Sequence, residues 1–346
     1  MERILVTGGA GYIGSHTAVA LVEAGFEPVL LDNFSNSQRE AVEGIEAICG
    51  RAIQLIEADC TREEAVEHAF ETAGPFAGII HFAAFKAVGE SVAEPLKYWR
   101  NNVAGTAVVL EVARRRGCEA FVFSSSCTVY GEPEQVPVDE EAPVRPATSP
   151  YGATKQVGEQ LIRDLAAAWP EFRAMVLRYF NPVGAHPSAA IGEWPLGVPN
   201  NLVPYLTQAV ARVRPPLTVF GDDYPTQDGT CIRDYIHVVD LAEAHVRALE
   251  VLLEKQGAAG STVLNLGTGK GSSVLEVVRA FEAATGVPVP HRIGERRAGD
   301  AVEVWADASR AEEVLGWRAR LTLEDALRDA WRWQQGLSDT PTAARR

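Results

Sequence analysis

The feature that most constrains this chain is a run of glycines near its start, Thr7-Gly8-Gly9-Ala10-Gly11-Tyr12-Ile13-Gly14, which sets Gly8, Gly11 and Gly14 at the spacing G-x-x-G-x-x-G. The apolar run at 4–7 reads as a strand, and the residues after the glycines open a helical pattern. Strand, tight glycine turn and helix together make the phosphate-binding corner of a doubly wound sheet. Gly8 permits the turn, Gly11 lets a diphosphate approach the backbone, and Gly14 lets helix and strand pack closely. The free N–H groups and the positive dipole end of the helix face the same point. Asp32 closes the next apolar run, where a carboxylate accepts hydrogen bonds from an adenosine ribose and repels a 2′-phosphate. These features select NAD over NADP.

The alternation continues along the chain. Apolar runs at 29–32, 53–58, 79–83 and 120–125 alternate with helical periodicity, and a long helix is predicted over 150–169 with a sixth strand over 174–180. This predicts an α/β fold, a doubly wound parallel Rossmann-type sheet formed by an NAD-binding domain over 1–180. After Phe180 the texture changes: Pro182, Pro187, Pro195, Pro199 and Pro204 lie among glycines without periodicity, so 181–201 is expected to form a long structured loop. Helical patterns return at 201–212, 239–254, 273–284 and 322–335. They predict a second, smaller α/β domain over 181–337, with the chain free to cross back to the first. Residues 338–346 read as a disordered tail.

Composition narrows the partners. A formal net charge of -14 over 346 residues disfavours nucleic acid and anionic membrane, so an anionic ligand must meet locally placed cations. The five cysteines are odd in number, widely spaced and lack C-x-x-C, which argues against a disulfide framework or zinc site and for a reducing cytoplasm. The histidines form no H-E-x-x-H or H-x-E pattern, so no metal site is expected. No signal segment is read at the start, and no apolar run approaches transmembrane length.

Tyr151-Gly152-Ala153-Thr154-Lys155 puts a phenol and an ammonium on one face of the predicted helix. The cation, helped by an oxidised nicotinamide, is expected to lower the phenol pKa so that it acts as a base near neutral pH. Ser126 ends the fifth predicted strand, where its hydroxyl can bond both the substrate oxygen and the tyrosine. Each pattern alone is common in unrelated helices and turns. Their order behind the glycine motif makes proton transfer coupled to hydride transfer the expected chemistry. Asp59 ends the third strand, where it can reach an adenine edge or cap its own loop.

The glycine motif, the strand-end serine and Y-x-x-x-K resemble the extended short-chain dehydrogenase/reductase family. Longer strings are more specific: HFAAFKAVGES at 81–91, RYFNPVGAHP at 178–187, PNNL at 199–202 and RDYIHV at 233–238 are similar to the UDP-glucose 4-epimerase family, over a stretch from Arg3 to Gln335. The resemblance implies reversible interconversion of UDP-glucose and UDP-galactose at C4 through a transient 4-keto sugar, with tightly bound NAD, and a homodimer built on helices of the NAD domain. It implies catalytic roles for Tyr151, Lys155 and Ser126. Besides these three and the glycine motif with Tyr12 and Ile13, it implies NAD contacts at Asp32, Asn33, Phe34, Ser35, Asn36, Ser37, Asp59, Cys60, Phe82, Ala83, Ala84, Lys86, Asn101 and Phe180. UDP-sugar contacts are implied at Lys86, Ser126, Tyr151, Tyr179, Asn181, Asn201, Leu202, Arg233, Arg297 and Asp300. In so acidic a protein, Arg233 and the pair Arg296-Arg297 are in any case credible pyrophosphate clamps.

Val304 stands where family members carry a bulky tyrosine or a smaller residue. The smaller side chain is expected to leave room for the N-acetyl group of UDP-N-acetylglucosamine and its galacto epimer; the alternative is a valine that simply packs. Ala84 and Phe85 depart from the commonest family wording. Two rivals are weaker on the residues. A nucleotide-sugar 4,6-dehydratase needs an acid beside the strand-end serine, where this chain has Cys127, Thr128 and Val129. A silent NAD-binding regulator on the same fold has no need of Tyr151 and Lys155, both present here.

Overall fold

The computed structural model describes residues 1–254, 259–297 and 299–339. The first half runs β1 (Arg3–Thr7), α1 (Tyr12–Glu23), β2 (Glu27–Asp32), α2 (Arg39–Cys49), β3 (Gln54–Glu57), α3 (Glu63–Ala73) and β4 (Gly78–His81). Then come α4 (Val88–Ala93), α5 (Pro95–Tyr98), a π-helical segment (Trp99–Ala104), α6 (Gly105–Arg116), β5 (Ala120–Ser126), a 3-10 turn (Cys127–Tyr130), α7 (Pro150–Ala168) and β6 (Arg173–Tyr179). The second half holds β7 (Asn181–Val183), α8 (Leu202–Val210), β8 (Leu217–Phe220), β9 (Ile232–His237), α9 (Val238–Leu253) and β10 (Gly260–Leu266). It closes with β11 (Gly271–Ser273), α10 (Val274–Thr285), β12 (His291–Gly294), β13 (Glu303–Val304), α11 (Ser309–Leu315) and α12 (Leu323–Asp339).

Seven parallel strands form one sheet in the order β10-β6-β5-β4-β1-β2-β3. Leu5, Leu31, Ile79, Phe121 and Val176 lie in the core under α3, α6 and α7, while Ile4, Leu30, Ile80, Val122 and Leu177 lie in the core under α1 and α9. Both faces are covered, which is why these strands read as unbroken apolar runs rather than alternating ones. The register lines up Thr7 with Leu31 and His81, and Ser126 with Tyr179. The carboxyl ends therefore form one edge, with the strand order reversing between β1 and β4, where open sheets of this kind bind ligands.

A smaller layer sits at that edge. β7 and β13 pair with β9 in parallel and β11 pairs antiparallel, β8 pairs with β12, and α8, α10 and α12 close an apolar core around Leu206, Val277, Phe281 and Leu327. Between β9 and β11 the chain returns through α9, and β10 joins the large sheet beside β6. Helix α9 and strand β10 thus belong spatially with the first half, although they follow Phe180 in sequence.

Several boundaries differ from the sequence reading for physical reasons. The fourth strand stops at His81 instead of 83, because the chain turns in against the glycine loop; a Cβ on Gly8 would lie 2.8 Å from the Ala83 nitrogen. Asn181–Val183 is a strand, not loop, its partner being the distant Tyr235–His237 stretch of β9. Such nonlocal pairing leaves no periodic mark in the sequence. Helix α12 runs to Asp339, and the remainder of the expected tail, 340–346, lies outside the described residues. Among the described residues no helix is long and apolar enough to cross a membrane.

Candidate active site

The glycine corner is made of backbone. Gly8 takes φ +68°, and a Cβ on Gly14 would stand 2.3 Å from the Gly8 carbonyl oxygen. Helix α1 begins at Gly11 without a side-chain cap and without an acid in its first turn, so its leading N–H groups remain free for an anion. A diphosphate fits this cradle, which any side chain at Gly8 or Gly14 would close. Asp32 is buried, and its carboxylate accepts from Ala10 N at 3.0 Å, Phe34 N at 2.9 Å and Ser37 Oγ at 2.7 Å. It ties the glycine loop to the turn after β2 and remains an acceptor at the cradle's edge. Phe34 holds a positive φ of 54° in that turn, under the Arg39 guanidinium, and Asn33 caps Ser35. The Asp59 carboxylate accepts from Thr61 N at 2.9 Å in its own loop, and the neighbouring Cys60 thiol is buried.

The chemical cluster stands where β5 and β6 end. Ser149 caps α7 by accepting from Gly152 N at 3.2 Å, and Pro150 occupies the first turn, so the helix starts just before Tyr151. One turn on, the Lys155 ammonium donates to the Ser124 carbonyl at 2.5 Å and to its hydroxyl at 3.3 Å, and lies 6.0 Å from the Tyr151 ring centre. Burial pushes the Tyr151 phenol up to about 12, with the Ser126 hydroxyl drawing it back. Burial also pushes Lys155 down to about 7, opposed by Glu159. Among the protein's own groups, the loss of water around both side chains is the largest influence on each. Tyr179, opposite Ser126 in register, is likewise buried and its phenol raised.

Asn101 and Asn102 sit in the π-helical segment, a form that recurs at functional sites. Asn101 donates to Asn102, which in turn holds the backbone of Phe85 and bonds Thr154 on α7. The loop after β4 is thereby fixed to the catalytic helix. Phe82 packs 4.7 Å from His245, and Phe180 lies in a small apolar cluster with Val129, Tyr130, Val138 and Val304. Ala83 and Ala84 are half-buried between these elements.

On the other wall, Arg233, Arg297 and Asp300 meet. Arg297 donates to both Asp300 oxygens, at 2.8 and 3.1 Å, and the Arg233 guanidinium reaches 3.9 Å from the same carboxylate. Arg296 is not part of this group: it pairs with Asp223 at 2.6 Å and stacks on Tyr224. Val304 lies opposite Arg233 in register, is 9% exposed and packs in the apolar cluster of Phe180. Lys86 pairs with Glu193 at 2.8 Å, and the same Glu193 oxygen accepts from Asn201, the residue before α8, at 3.1 Å. Leu202 is half-buried against the small core and Asn181 is half-buried in β7.

Sequence reasoning missed four of these groups. Ser124 lies in the same serine triplet as Ser126, and Asn102 beside Asn101, so proximity was the available signal. Glu193 and Phe220 gave none. Phe220 ends β8, is 42% exposed and has the Arg297 guanidinium 5.3 Å from its ring centre, a flat platform at the surface.

Comparisons with known proteins bear on the fold and the family. Residues 4–267 match the NAD dependent epimerase/dehydratase family. The UDP-glucose 4-epimerase of Bacillus subtilis is 53% identical over 331 residues, 96% of either chain. A crystal structure of the Stenotrophomonas maltophila UDP-glucose-4-epimerase, with bound NAD and formylated UDP-arabinopyranose, superposes with a TM-score of 0.93 at 49% identity, covering 98% of this chain and 99% of the other. That of Bifidobacterium longum, in complex with NAD+ and UDP, superposes with a TM-score of 0.91 at 45% identity, covering 96% and 98%. By fold and by sequence over nearly its full length, the chain belongs to the NAD dependent epimerase/dehydratase family, within its group of UDP-glucose 4-epimerases.

Proposed function

We propose that this chain interconverts UDP-glucose and UDP-galactose by inverting C4, using NAD that stays bound between turnovers. The observation that carries this is the buried Ser126, Tyr151 and Lys155 cluster at the carboxyl edge, with the glycine cradle on one side and the Arg233, Arg297 and Asp300 group on the other. When bound, NAD supplies a hydride acceptor and donor and, oxidised, a positive charge beside the phenol. Gly8, Gly11, Gly14 and the start of α1 would hold its diphosphate, Asp32 its adenosine ribose, and Lys155 its nicotinamide ribose. Tyr151 takes the proton of the sugar 4-hydroxyl and later returns it, and Ser126 orients that oxygen. Arg233 and Arg297 hold the pyrophosphate of the UDP-sugar while Phe220 supports the flat base. With the nucleotide end fixed, the transient 4-keto sugar turns about the pyrophosphate link and presents its other face.

The division of labour follows the fold: 1–180 with 238–266 serves the cofactor, and the remaining layer serves the UDP-sugar. The deciding experiment is incubation of purified protein with UDP-galactose and no added cofactor. UDP-glucose should appear; its absence, with correctly folded protein, refutes the reading.

Three finer readings accompany it. Val304 is smaller than tyrosine and flanks Arg233, which supports acceptance of the N-acetylated UDP-hexosamines. No turnover of that pair by the wild type, unrelieved by Val304→Ala, would defeat this. Val88, Val92 and Leu96 descend α4 and α5 at one-turn intervals with Trp99 beside them, exposed by 47, 63, 74 and 37%. This stripe supports a homodimer, which Leu96→Asp should split in sedimentation. Five unpaired cysteines support a cytoplasmic location, checked by fluorescent fusion.

A further inference from the structure

Tyr151, Lys155 and Glu159 follow one another at one-turn spacing on α7, and all three are buried. The first two carry the proton chemistry; nothing so far has used the third. Glu159 is 1% exposed and its carboxylate is saturated: Oε1 accepts from Ser125 Oγ at 2.6 Å and Arg178 Nε at 2.8 Å, and Oε2 from Arg178 Nη2 at 2.6 Å. Arg178 also donates to the Tyr130 hydroxyl at 3.0 Å, and Tyr130 donates to Asn265 at 2.7 Å. Stability alone does not call for such a pair, since apolar residues of similar volume often hold a core as well or better. Its position is informative. Ser125 lies between Ser124, which takes the Lys155 ammonium, and Ser126, which faces Tyr151.

Resting on the epimerase reading above, we propose that Glu159 is a positioning residue of this reaction: it fixes the 124–126 strand end through Ser125 and keeps Lys155 an ammonium beside Tyr151. Burial works against that charge, driving the lysine down to about 7, and Glu159 is the group that opposes it. The other titratable groups around the lysine do not replace it. His81 at the end of β4 is held neutral by burial, and Arg178 and Tyr179 on β6 bring no negative charge. Cys127 and Tyr130 on the 3-10 turn are raised by burial and stay protonated. Glu90 on α4 is taken up by Tyr98 and Lys97 on α5. Arg178, and Arg163 at 3.6 Å from Oε2 one turn along α7, balance the carboxylate, but Glu159 is the group that acts on Lys155.

The test follows Lys155 itself, by pH titration of its Nζ in 15N-lysine protein with NAD bound, beside the pH profile of UDP-galactose turnover. Glu159→Gln combined with Arg178→Met removes both charges; Glu159→Gln alone, nearly the same shape, serves if the pair does not fold. In either folded variant the Lys155 titration and the alkaline limb of activity should move down by about one pH unit, and Glu159→Asp should restore most of the shift. A folded variant whose Lys155 titration matches the wild type, with only its melting temperature changed, overturns the proposal. Because the titration does not depend on turnover, failure of the epimerase reading would show separately, in the UDP-galactose assay.

Discussion

Between residues 7 and 14 the sheet edge presents backbone; around Arg233 it presents long charged side chains drawn from β9 and the loop after β12, beside the Phe220 ring at the end of β8. The first surface is fixed before any ligand arrives, since three glycines leave nothing that can rotate. The second holds its cations against Asp300, with Arg297 bidentate and Arg233 at 3.9 Å, so under the proposed function a pyrophosphate would replace part of an ion pair. A rigid anion cradle suits a cofactor that stays. Side chains that trade partners suit a nucleotide that comes and goes while its sugar turns.

The sharpest way to break this contrast is Gly14→Ala. Its Cβ would meet the Gly8 oxygen at 2.3 Å and the Gly9 Cα at 2.9 Å, both backbone, with no flexible tip to move aside. Overpacking of this kind costs roughly 1–3 kcal/mol before any ligand is considered. We expect the purified variant to contain no NAD by absorbance of the heat-released nucleotide, and to be inactive. An intact NAD content would mean that the cradle yields, and the rigid half of the comparison would fall. Tyr151→Phe ranks next. It leaves both surfaces untouched and removes only the proton carrier, so turnover should fall by about 10³-fold with NAD content unchanged. A loss below tenfold in steady-state assays would move the acid-base role elsewhere.

The two surfaces also differed in how far sequence reached them. The cradle is contiguous, and each of its glycines has a local steric reason, so the spacing alone located it. Arg233 and Asp300 lie far apart in the chain, and charge composition could say only that some arginines must gather near an anion. It grouped Arg296 with Arg297, yet the two neighbours point apart, one to Asp223 and Tyr224, the other to Asp300. Whether a side chain faces a site or its rim depends on strand register, which β12 and β13, short and nonlocally paired, do not announce. The burial of Tyr151 stayed hidden for a related reason: a four-residue spacing shows the neighbouring cation, but not the loss of water that pushes the phenol up.

Acid stability provides a third, milder probe of the same division. His16 on α1, His81 on β4 and His245 on α9 all belong to the cofactor half, and burial lowers them to about 3, about 3 and about 4. His16 and His245 each give Nδ1–H to a carbonyl one turn back, and among the described residues Nε2 of each has no partner. The unfolded chain binds protons below the ordinary imidazole value of about 6.5 that the folded one refuses. Stability should therefore be flat above that value and fall as pH drops through it toward 4, by roughly 1 kcal/mol per histidine at pH 5.5. Urea midpoints at pH 7.5 and 5.5 would measure this. An unchanged midpoint would show that these imidazoles reach water in the folded state.

The smallest expected effect lies where the two surfaces touch. Glu193 accepts from Lys86 on the cofactor side and from Asn201 on the substrate side through one oxygen, and its side chain is 12% exposed. Its carbonyl takes the Trp333 indole N–H at 3.0 Å, and Gly192 lies so close to that ring that a Cβ would come within 2.5 Å. The loop is thus seated on α12 whatever the carboxylate does. Glu193→Gln should keep the seat and the bond to Asn201 while removing the charge that holds Lys86, which is itself 43% exposed along its side chain. A half-exposed pair of this kind contributes about 1 kcal/mol or less, so KM for UDP-galactose should rise by about threefold with kcat nearly unchanged. If kcat falls instead, Lys86 and Asn201 act on the turning sugar rather than on its binding. The boundary between a fixed cofactor surface and an exchanging substrate surface would then run through Glu193 itself.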